Sequence, residues 1–201
     1  MHLNTYLALG DSYTIGEAVP FYESFPSQAV QLLREKGLHL AAPEVLARTG
    51  WTTDELLAAM KSYRFLPKYD FVTLLIGVNN QYRGQDVIEY KEGFETVLKE
   101  ALRLANQKKE HVAVLSIPDY GVTPFSRDKD PKKISAEVDV FNKINRSIAL
   151  QYKVAYIDIT PGSREAAHDA SLLSGDGLHP SRMEYAKWAG ALAGLMGKTL
   201  K

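Results

Sequence analysis

Residues 6–17 read YLALGDSYTIGE. An apolar run the length of one strand stops at Gly10, and a serine follows two residues later. A serine in that place is a turn former, a helix cap or a nucleophile, and the choice depends on what the rest of the chain supplies. Short apolar runs bounded by turn residues read as strands buried on both faces. TYLALG (5–10) is the first, and PEVLART (43–49), DFVTLLIG (70–77), HVAVLSI (111–117) and VAYIDI (154–159) follow. Segments around 25–36, 52–62, 86–107 and 134–151 carry apolar residues at helical spacing, and SRMEYAKWAGALAGLMGK (181–198) closes the chain as a last helix.

This alternation predicts an α/β fold: a single three-layer α/β/α domain over residues 1–201 with a five-stranded parallel sheet. A flavodoxin-like strand order, 2-1-3-4-5, would set the first strand centrally and its following turn over the ligand crevice at the C-terminal strand ends. Thr52 with Glu55, and Ser181 with Glu184, fit the Ser/Thr-x-x-Glu capping box and mark two helix starts. The stretches 17–24, 79–85, 119–133 and 161–180 read as irregular.

The 201 residues suit one domain. The 24 Lys and Arg balance the 24 Asp and Glu, so no net field favours nucleic acid or an anionic membrane, and a small molecule is the expected partner. With no cysteine, disulfides, thiolate metal sites and a cysteine nucleophile are excluded together. No window approaches the ~18 apolar residues of a spanning helix, and the first residues lack a basic segment before an apolar one. As it reads, the chain is expected to be cytoplasmic, with secretion requiring a removed leader. The sequence does not set the oligomeric state.

A serine nucleophile needs a base, and the base needs a partner that holds its tautomer. Of the five histidines, His2, His39 and His111 sit at a terminus, a helix end and a strand start. His168 neighbours Asp169, but adjacent helical residues point to different faces. His179 stands apart: SGDGLHPS places Asp176 three residues before it across Gly177, so a carboxylate can curl back to the imidazole. Pro180 biases His179 out of the helical region. On these residues alone, Asp176 as a mere turn former with His179 at an interface stays an equal alternative.

Four blocks taken together say more. GDSY (10–13), the glycine of ARTGWTT (47–53), GVNN (77–80) and DGLHP (176–180) resemble the SGNH, or GDSL-type, hydrolases in order and in position relative to the strands. The resemblance spans nearly the whole chain. It implies that Ser12 is the nucleophile, His179 the base and Asp176 its orienting acid, with an oxyanion hole made by the backbone N–H groups of Ser12 and Gly50 and the side-chain amide of Asn79. The family commonly has Asp where this chain has Asn80, so no charged role is expected there.

The implied activity is that of a serine esterase working through an acyl-enzyme, without metal or organic cofactor, on a short acyl ester, an acetylated carbohydrate or a lysophospholipid. Tyr22, Tyr82, Tyr120 and Phe125, with Phe21, are candidate walls of an acyl or sugar site. Arg83 and Arg127 are candidates for an anionic head group. A thioesterase using the same triad, or a silent ligand-binding domain that kept the fold, are the alternatives.

Overall fold

The computed structural model describes residues 2–200. The first strand, β1 (Tyr6–Asp11), is buried at every position, as a strand covered by helices on both faces must be. It runs directly into a single turn, α1 (Ser12–Ile15), whose start is capped by Asp11 Oδ1 accepting from the Tyr13 N–H at 3.0 Å. The glycine before the serine is set by packing. A Cβ there would lie 2.1 Å from Thr14 Oγ1 and 2.4 Å from the Leu75 carbonyl oxygen, so only glycine lets α1 fold back against the sheet.

The remaining elements are α2 (Phe25–Glu35), β2 (Glu44–Arg48), α3 (Thr53–Ser62), β3 (Phe71–Leu75), α4 (Val78–Tyr82), α5 (Val87–Leu104), β4 (Val112–Leu115), α6 (Pro131–Tyr152), β5 (Ala155–Ile157), α7 (Thr160–Ser163) and α8 (Arg182–Thr199). All strand pairs are parallel and the order is β2-β1-β3-β4-β5. This is the expected flavodoxin-like order. Right-handed crossovers then place α2 and α8, which pack on each other, on one face. The α3, α5 and α6 helices follow one another across the opposite face. An aromatic cluster of Phe25, Tyr185 and Trp188 joins α2 to α8, with Phe25 and Trp188 centroids 6.0 Å apart and Tyr185 and Trp188 5.2 Å apart.

The chain leaves β1 for β2 on one side and returns for β3 on the other, so the crevice at the C-terminal end of β1 is the switch point where such sheets bind ligands. The pairing Asp11 with Arg48 and Gly10 with Leu75 brings the ends of the three strands level. Ser12, Gly50 and Asn79 each follow within four residues of those ends.

One of the two expected capping boxes holds, and two sequence expectations are amended. The Thr52–Glu55 box forms, with Glu55 Oε2 accepting from the Thr52 N–H at 2.9 Å. The Ser181–Glu184 box forms only by half: Ser181 Oγ caps the Met183 N–H, but Glu184 turns inward and accepts from Trp188 Nε1 at 2.8 Å. Burial beside an indole donor one turn further on outweighs the reach back to the cap. The stretches expected to be irregular also contain short helical turns, several started by aspartates such as Asp119 and Asp169 that accept from an N–H two residues on.

Candidate active site

Ser12 opens α1, and as the first helical residue its N–H has no acceptor within that helix. Among the described residues its Oγ makes no hydrogen bond, so the hydroxyl is uncommitted. The neighbouring Asp11 is wholly buried, with Oδ2 lacking any partner. Burial pushes its carboxyl up to about 8 against the opposing Tyr13 N–H bond.

Asp176 and His179 form a closed local unit. Asp176 Oδ1 accepts from the backbone N–H groups of Leu178 and His179, both at 2.9 Å, and Oδ2 lies 2.6 Å from His179 Nδ1. Burial alone would raise the Asp176 carboxyl, but the imidazole and the two backbone donors outweigh it and hold it below its ordinary range. An ionised carboxylate only accepts, so Nδ1 carries the proton and Nε2 is the basic nitrogen. His179 is nearly buried, with the Tyr13 ring 5.1 Å from its centroid.

Ser12 and His179 line one cavity of about 110 Å³ with Tyr13, Val78, Asn79, Tyr82, Tyr120, Phe125 and Leu178. The serine hydroxyl and the imidazole are not hydrogen-bonded to each other there. Tyr82, Tyr120 and Phe125 form a three-ring wall, their centroids 5.9 to 6.2 Å apart. Val78, Leu178 and Tyr13 escaped sequence reasoning, although each is the immediate neighbour of a candidate residue, which is the signal that would have found them.

Gly50 holds φ at +83°, a conformation costly for any residue with a Cβ. Space is not the constraint, since an added Cβ would meet only Arg83 Nη2 at an ordinary 3.5 Å. Asn79 Nδ2 donates one hydrogen to the Trp51 carbonyl at 3.0 Å, which leaves the second for another acceptor. Asn80 is fully committed to structure: Oδ1 accepts from the Thr53 N–H at 3.2 Å, and Nδ2 donates to Thr53 Oγ1 at 2.8 Å and Gln85 Oε1 at 2.7 Å. A charge at that wholly buried position would lose the two donor bonds.

Tyr22 and Arg83 do not line the cavity that Ser12 and His179 share. Tyr22 stands on the exposed turn that leads into α2. Arg83 is taken by Glu55 and by the Gly50 carbonyl. Arg127 and His168 line a separate, larger groove of about 960 Å³ beyond the Pro124–Ser126 turn. Among the described residues no three His, Asp or Glu side chains gather as metal ligands, and no helix is long and apolar enough to cross a membrane.

The model of the GDSL-like lipase/acylhydrolase family matches residues 8–187, a span that runs from β1 into α8 and contains all four blocks. The chain belongs to this family. Membership supports ester hydrolysis as the general activity. Comparison with curated proteins finds no significant match. Among solved structures, TesA shares 18% identity at a TM-score of 0.77, covering 98% of this chain and 100% of its own. A lipase/acylhydrolase from Enterococcus faecalis shares 20% at 0.77, covering 99% and 98%. Axe2, an acetylxylan esterase from Geobacillus stearothermophilus, shares 19% at 0.72, covering 98% and 97%. At these identities the likeness establishes the common fold.

Proposed function

We propose that the protein is a serine esterase that cleaves esters of short acyl groups by a two-step acyl-enzyme route. The observation that carries this is the His179 imidazole: Asp176 holds its Nδ1 at 2.6 Å, and His179 lines the same cavity as Ser12 and Asn79. Ser12 Oγ attacks the ester carbonyl carbon while its proton passes to His179 Nε2. The tetrahedral intermediate collapses by breaking the bond to the leaving alcohol, which takes the proton from Nε2. Water then repeats the sequence on the acyl-enzyme, with His179 again taking and returning a proton, and releases the acid. Asp176 keeps Nδ1 protonated and stabilises the imidazolium.

The carbonyl oxygen gains charge in both steps. The Ser12 and Gly50 N–H groups and the free hydrogen of the Asn79 amide are the proposed donors to it. A cavity of about 110 Å³ is well below the ~300–1,000 Å³ of pockets for drug-sized ligands. That size favours an acetyl to butyryl group over the long chain of a lysophospholipid. The acetylxylan esterase among the structural relatives acts on an acyl group of this size. Hydrolysis of p-nitrophenyl esters from acetate to dodecanoate, with Ser12→Ala as the control, tests the reading. Turnover concentrated at short chains and abolished in the variant supports it, and turnover surviving Ser12→Ala overturns it.

A further inference from the structure

On the reading of Gly50 and Asn79 as oxyanion donors, we propose that Arg83 is a positioning residue of the oxyanion hole, acting through the Gly50 turn. Arg83 closes α4 and reaches across to the 50–53 segment. Its Nη2 donates to the Gly50 carbonyl at 2.5 Å, and its Nη1 donates to Glu55 Oε1 at 3.3 Å. Every residue of that segment is held in the same manner. Asn79 takes the Trp51 carbonyl at 3.0 Å, Glu55 takes the Thr52 N–H at 2.9 Å, and Asn80 takes the Thr53 N–H at 3.2 Å. The two carbonyl clamps come from α4 and its end, the same short helix that carries the Asn79 amide. Gly50 and Asn79 are thereby tied into one frame.

The need for such a clamp follows from Gly50 itself. Glycine is the residue that best tolerates φ +83° and the one whose backbone is least able to hold a single direction. An N–H donor aimed at a developing oxyanion gains from being fixed beforehand, and a misplacement near 1 Å has effects on the order of 10²-fold in rate. The Arg83–Glu55 ion pair does not supply stability of note, because the two side chains are 45% and 39% exposed. The guanidinium fork serves geometry: both arms lie against the Glu55 carboxylate, Nη1 at 3.3 Å from Oε1 and Nη2 at 3.2 Å from Oε2, and Nη2 also fixes the carbonyl of the turn. Lysine lacks the second arm.

The test uses p-nitrophenyl acetate, a neutral ester, with Arg83→Ala, Arg83→Lys and Asn79→Ala. The expected result for Arg83→Ala is a kcat lower by roughly 10- to 100-fold, with KM within a few-fold and the melting temperature close to wild type. Arg83→Lys recovers part of the loss, and millimolar guanidinium added to Arg83→Ala restores part of kcat, a response that a purely structural role would not give. A raised KM with kcat intact would make Arg83 a substrate contact and overturn the proposal, as would an unchanged kcat. A fall in melting temperature without guanidinium rescue would overturn it in favour of a stability role. If Asn79→Ala loses rate while Arg83→Ala does not, the oxyanion hole stands and the clamp falls. If Asn79→Ala loses none, both fall together.

Discussion

Asp176 grips His179 twice, with Oδ2 at 2.6 Å from the ring Nδ1 and Oδ1 accepting the backbone N–H of the same residue at 2.9 Å. One carboxylate thus fixes both the position of the loop and the tautomer of the imidazole. Asp176→Asn keeps the loop bonds but loses the charge and permits the wrong tautomer. It should lower kcat on the order of 10²- to 10⁴-fold with KM little changed. Because the folded carboxyl lies below its ordinary value, its stabilising effect is present above about pH 4 and fades as pH falls through the lower folded value. The stability gap between wild type and Asp176→Asn should therefore shrink in acid, and thermal melts from pH 2 to 7 would show whether it does.

The two adjacent asparagines should separate by readout. Asn79 has a free amide hydrogen beside the cavity, and removing one such donor typically lowers kcat by about 10²- to 10³-fold. Asn79→Ala should show that loss while staying folded. Asn80 spends its amide on Thr53 and Gln85 inside the protein, so Asn80→Ala should fall mainly on stability, by about 1–3 kcal/mol, with a smaller, indirect loss of rate. A larger rate loss at Asn80 would show the roles to be reversed.

Asp11 makes a prediction of opposite sign to Asp176. Below about pH 4 it is protonated in both folded and unfolded chains, and no penalty arises. Between there and about 8 the folded protein holds a proton that the unfolded chain has released, so stability falls as pH rises, and above about 8 the full penalty stands. Asp11→Asn keeps the acceptor for the Tyr13 N–H and buries no charge. Its stability advantage should grow from pH 4 to 8 and then level off, reaching a few kcal/mol at most. A gap independent of pH would contradict the buried, proton-holding Asp11.

Phe125 and Tyr82 close the aromatic side of the cavity lined by Ser12 and His179. Truncating Phe125 to Ala should open it, so that kcat/KM for octanoate esters rises by roughly 10-fold relative to acetate. Chain-length profiles of the two proteins decide this, and an unchanged ratio would place the acyl group elsewhere.

Much of this was legible in the sequence because it rests on local signals. The five strands are continuous apolar runs, and the Asp176–His179 unit spans three residues with a turn between them. What was not legible depends on partners far along the chain. Glu184 carries a correct capping pattern, yet the side chain serves Trp188 in the core. Arg83 reads as a free cation near a candidate site, and only folding brings it to Gly50, 33 residues away, and Glu55, 28 away. The single-turn helices α1, α4 and α7 are too short to show a period and are set by caps and tertiary contacts. The strand β5 is shorter than its apolar run, because the Ile159 N–H leaves the sheet to bond Ser116 Oγ at 2.8 Å.

Ser12 is the proposed nucleophile. Its most direct test is reaction with a fluorophosphonate, followed by intact mass spectrometry and peptide mapping. One adduct per chain is expected, located on Ser12, formed in step with the loss of esterase activity and absent from Ser12→Ala. An adduct on another residue that tracks the loss of activity, or full ester turnover by a protein that carries no Ser12, would contradict it.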